Sequence, residues 1–169
     1  LIGSMNYQGL DLYEPFEVAG YSAYHQYPVY NRNWISTNYL TRRYDYIRQF
    51  LDGMDMMGSI NSFELLQFIK DNFPNNVAEN AESLIMSLVE YLLPASENLT
   101  FSDNDDNAEI TNERLRYFRY AFLFDPQIDA DPISSWTFRW NNPVDNEVVR
   151  NQLLNLMNAM LQSPEYQLM

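Results

Sequence analysis

Between Pro74 and Pro94 the apolar residues Ala81, Leu84, Ile85, Leu88, Val89 and Leu92 recur at steps of three and four. That spacing matches a helix of about 3.6 residues per turn and puts all six side chains on one stripe. A strand would scatter the same residues over both faces. Asn76 followed by Glu79 reads as the capping box that opens this helix, which runs through Leu93 and stops at Pro94. A stripe this apolar has to be buried against something, so the rest of the chain must supply matching faces.

It supplies them with the same period. Ser36 is the expected cap of a helix ending near Gly53, with Leu40, Tyr44, Ile47 and Leu51 on its stripe. Asn61 and Glu64 read as a capping box for a helix from Ser62 to about Phe73, carrying Phe63, Leu66 and Ile69. Thr111 caps a helix over Asn112 to Phe124, with Leu115, Phe118 and Phe122 inward. Asn142 and Pro143 open the last long helix, whose buried face is Val149, Leu153, Leu156, Met157 and Met160. Ser163-Pro164 breaks it and starts one more turn. No run alternates as a strand would. The expectation is an all-α fold, a bundle of about five main helices with two long aromatic-rich loops. The first loop, residues 1–33, is expected to pack on the helices. The second, residues 125–142, carries Trp136 and Trp140.

At 169 residues the chain is expected to form a single helical domain with a real core. Aromatic residues at 15% reinforce that, since they are scarce in chains that stay unfolded. The net charge of −13, with Lys70 the only lysine, sets up a field that repels phosphate backbones and anionic lipid, so nucleic acid is not an expected partner. No apolar run approaches the roughly 20 residues of a spanning helix, so membrane insertion is not expected. The absence of cysteine removes thiol nucleophiles, thiolate metal sites and disulfides together.

Candidates for chemistry concentrate before residue 52. His25, the only histidine, stands among Tyr21, Tyr24, Tyr27 and Tyr30 and could serve a ligand pocket or carry a proton. Trp34, Tyr39, Arg42 and Arg43 could offer aromatic faces for sugar rings and a guanidinium for a carboxylate. The plainer alternative packs His25 in an aromatic cluster and uses Trp34 to anchor the loop on its helix; that alternative is favoured. Asp103, Asp105 and Asn107 fall on alternate positions of an acidic stretch, as calcium ligands do. Ala108 stands where the calcium-loop template needs glycine, and Arg114 where it needs glutamate, so a solvated loop is favoured and no cofactor is expected. Asp125, Asp129 and Asp131 form a second candidate set of oxygen ligands and read equally well as turn and cap residues.

The run Leu12-Tyr13, Pro15, Val18 and Gly20, then Trp34, then Arg42 or Arg43 in a helix, resembles a bacterial family known as domain of unknown function 1800. The ending LMNAMLQSPEYQLM is similar to that family's close. The resemblance implies a mostly helical, exported protein (periplasmic, cell-surface or secreted), of which this chain is the C-terminal portion and whose missing N-terminal part is its partner. It implies no established activity. The expected function is a non-catalytic structural or interaction module of an exported bacterial protein. The alternative is part of an envelope- or polysaccharide-acting enzyme with a site around His25, Trp34 and Arg42 or Arg43.

Overall fold

The computed structural model describes residues 3, 37–53, 63–94, 99–101, 111–124 and 131–167. They fall into two compact units, residues 1–61 and 62–169. Among the described residues every regular element is helical, so the all-α class holds.

In the first unit, α1 spans Thr37–Leu51. Its end is set by Gly53, whose φ of +82° lies in the left-handed region that only glycine enters without strain. The Gly53 N–H donates to the Phe50 carbonyl at 3.1 Å and closes the last turn. Leu51 is buried, while Leu40, Tyr44 and Ile47 on the same stripe are half-buried. Residues 1–33 lie outside the described residues apart from Gly3, as do Ser36 and Asn61.

The second unit begins with α2, Leu65–Asn72. Its cap is Glu64, whose carboxylate accepts from the Leu66 N–H, and Leu65 and Ile69 are its buried face. Sequence reasoning placed the helix start at Ser62 and gave Glu64 a place inside it. Next come α3, Asn75–Ala78, and α4, Ala81–Leu92. The expected capping box at Asn76 and Glu79 does not form. The chain makes one short turn, and Asn80 opens α4 by accepting from the Ser83 N–H at 2.9 Å. Of the expected apolar stripe of α4, Ala81, Leu84, Ile85, Leu88 and Val89 are buried and Leu92 is half-buried.

Helix α5, Asn112–Leu123, is capped by Thr111 on the Arg114 N–H, with Leu115, Phe118 and Phe122 buried. Helix α6, Pro132–Trp140, corrects the second loop: nine residues of the stretch read as irregular are helical. Asp131 caps it through the Ser134 N–H and Oγ, and Pro132 sits in its first turn. Asn142 accepts from the Val144 N–H and opens a short 3₁₀ turn, Pro143–Asp145. That turn leads into α7, Asn146–Leu161, and Ser163-Pro164 starts α8, Pro164–Gln167.

Helix α7 is the centre of this unit, touching α2, α4, α5, α6 and α8. Its buried face of Val149, Leu153, Leu154, Leu156, Met157 and Met160 is wider than a stripe for one neighbour would be. Helix α6 is held to the α3 turn by polar bonds as well as by packing. The Trp136 indole N–H donates to the Ala78 carbonyl at 3.0 Å, Thr137 Oγ1 to the Glu79 carbonyl at 2.9 Å, and the Trp140 indole N–H to Asn75 Oδ1 at 2.8 Å. The Trp136 ring lies 4.4 Å from that of Phe122, which joins α6 to α5.

Candidate functional site

Of the residues expected to form a site, His25 and Trp34 lie outside the described residues. So do Asp103, Asp105 and Asn107, and the side chain of Tyr39. Arg42 and Arg43 sit in mid-α1, both half-buried. Neighbours in a helix point about 100° apart, so the two guanidinium groups leave the backbone in different directions. Asp131, a candidate oxygen ligand, is the cap of α6, and its carboxyl is held below the usual carboxylate range by the Ser134 hydroxyl and N–H. A hollow of about 500 Å³ lies beside it, lined by Asp131, Ser134, Ser135, Phe138, Arg139 and Asp145. Among the described residues no cluster of His, Asp and Glu could hold a metal ion.

What the second unit does present is a groove between α5 and α7. It is shallow and open, about 470 Å³, and lined by Tyr117, Tyr120, Ala121 and Phe124 on one side and Asn155, Asn158, Ala159 and Gln162 on the other. Both rows follow helical spacing. The α5 row stands beside the core stripe of Leu115, Phe118 and Phe122, so it is a second aromatic stripe, turned outward. Tyr117 is 50% exposed, Tyr120 67% and Phe124 50%.

One end of the groove is braced. Arg114 Nε donates to Glu165 Oε1 at 3.0 Å in a partly buried ion pair, which ties the start of α5 to α8. Because α8 directly follows α7, this bond brings the beginning of α5 to the end of α7, and the two helices run antiparallel. The Arg114 guanidinium lies 5.8 Å from the centre of the Tyr117 ring. Gln167 Nε2 donates to the Leu161 carbonyl at 2.7 Å, and Ser163 Oγ accepts from the Tyr166 N–H. Within the groove, Gln162 Nε2 donates to Asn158 Oδ1 at 3.1 Å. That bond leaves the Asn158 NH2 and the Gln162 carbonyl to meet an occupant. At its far end the Tyr120 and Phe124 rings are 5.8 Å apart.

The closing Ser163-Pro164-Glu165-Tyr166-Gln167 run is thus a structural clasp that fixes one edge of this surface. Sequence reasoning missed the groove because it read only the inward stripe of α5 and made nothing of the other face. The available signal was three aromatic residues at positions 117, 120 and 124, on a face where polar residues are usual.

Among the described residues no helix is long and apolar enough to cross a membrane. No curated protein matches the chain, and no solved structure matches it. A family model described as "Protein of unknown function (DUF1800)" matches residues 1–168, and the chain belongs to that family.

Proposed function

We propose that the chain is a non-catalytic interaction module of an exported bacterial protein, and that its working surface is the α5–α7 groove. The observation that carries this is the lining itself: three half-exposed aromatic rings facing three primary amides. Such groups hold a ligand by stacking and hydrogen bonding. The export part of the reading rests on the family resemblance.

Fractionation of the native bacterium, comparing wild type with the Tyr120→Ala, Phe124→Ala double variant, tests both parts. Wild-type protein is expected outside the cytoplasm and retained with the sedimented envelope. The double variant is expected outside the cytoplasm but released to the soluble fraction. Wild type confined to the cytoplasm overturns the export reading; identical partitioning of both proteins overturns the groove.

A further inference from the structure

The two rows that line the α5–α7 groove match one class of ligand. A single exposed aromatic side chain is ordinary on a protein surface. Three in register need another account, because the packing demand of α5 is already met by Leu115, Phe118 and Phe122, all fully buried. A pyranose ring offers an apolar C–H face and a rim of hydroxyl groups, each donor and acceptor at once. Aromatic rings suit the face. Primary amides, which carry a donor and an acceptor on the same side chain, suit the rim.

Charge narrows the class further. The chain carries a net −13, and a polyanionic ligand would have to approach against that field. The groove lining contains no arginine or lysine to compensate and no carboxylate to attract a cation. An occupant matched to this surface is polar and neutral. The volume of about 470 Å³ falls within the usual span of small-molecule sites, roughly 300–1,000 Å³. Its shallow, open form suits part of a longer chain better than an enclosed monomer.

We infer that the groove binds a linear neutral saccharide chain, with sugar rings on Tyr117, Tyr120 and Phe124 and hydroxyls on Asn155, Asn158 and Gln162. Glu165 is a positioning residue: it fixes Arg114, and Arg114 lies against the Tyr117 ring. The inference rests on the interaction-module reading and names its ligand.

The test is a titration of the whole chain, followed by backbone amide chemical shifts. The probes are linear oligosaccharides of glucose, mannose and N-acetylglucosamine, with an oligogalacturonate of equal length as the anionic comparison. At least one neutral probe is expected to give saturable shifts confined to α5 and α7, and the oligogalacturonate none. Tyr120→Ala and Asn158→Ala should each weaken binding about tenfold, whereas Tyr91→Ala, which removes a 78% exposed tyrosine from α4, should leave it unchanged. The inference is overturned if no neutral probe shifts the groove amides, if the anionic probe binds as well, or if a folded Tyr120→Ala variant binds like wild type. Envelope retention that still depends on Tyr120 and Phe124, with no saccharide bound, overturns the ligand and leaves the module standing.

Discussion

A tryptophan buried to its indole nitrogen needs an acceptor, and Trp136 finds one in the Ala78 carbonyl. With 0% of its surface exposed and its ring against Phe122, it joins three helices at once. Trp136→Ala should therefore cost about 3–5 kcal/mol in chemical denaturation, the range for emptying a large aromatic site. Trp136→Phe separates the two contributions. It keeps most of the ring but leaves the Ala78 carbonyl without its donor, an expected loss of about 1–3 kcal/mol. A Phe variant as stable as wild type would show that the indole hydrogen bond contributes nothing. The neighbouring Trp140 is also buried, donates to Asn75, and has Lys70 5.8 Å from its ring. Both tryptophans are thus explained by the joint between α6 and the α3 turn, and neither is left over for a ligand.

At the scale of elements, the long stripes were legible and the short joints were not. Helices α4 and α7 repeat their apolar residues over about three turns and α5 over about two, and burial of those stripes leaves few alternatives. Helix α6 has nine residues and one good pair, Trp136 and Trp140, so periodicity carries little weight there. Its start signal was nonetheless present. Asp131-Pro132 is the same cap-then-proline pattern as Asn142-Pro143, which was read as a helix start and caps the 3₁₀ turn that leads into α7. The start of α4 was misplaced for a different reason. Asn76 and Glu79 have the spacing of a capping box, but tertiary bonds take Glu79 elsewhere: its carbonyl accepts from Thr137 and its carboxylate from Asn141. Alanine substitution distinguishes the two caps. Asn80→Ala should cost about 1 kcal/mol, and Asn76→Ala, on the exposed face of α3, under about 0.5 kcal/mol. Thermal or urea denaturation reads both; equal losses would restore Asn76 as a cap. Of the residues read from the sequence as candidates for chemistry, Arg42, Arg43 and Asp131 fall within the described residues with their side chains. The groove was unread because it exists only once α5 and α7 lie side by side.

For the whole molecule, the decisive quantity is the surplus of 23 acidic over 10 basic residues. Ion pairs such as Arg114–Glu165, Arg119–Glu82 and Arg150–Glu64 stabilise locally and weaken in salt. Thirteen unmatched negative charges repel one another at longer range, and screening relieves that repulsion over a Debye length that falls from about 30 Å at 0.01 M to about 10 Å at 0.1 M. The surplus acts at longer range than any single pair, so the melting temperature should rise between those two salt concentrations and level off above them. A melting temperature that falls over the same interval would mean that the ion pairs dominate.

The hub position of α7 has a consequence for the order in which the polypeptide is made. Helices α2, α4, α5 and α6 all leave the ribosome before the helix against which each of them packs. Until Asn146–Leu161 has emerged, four apolar faces lack their common partner, and the clasp from Glu165 to Arg114 comes later still. The contacts that α3, α4, α5 and α6 make with one another can form earlier, but the face they share is completed only when nearly all of the second unit has been translated.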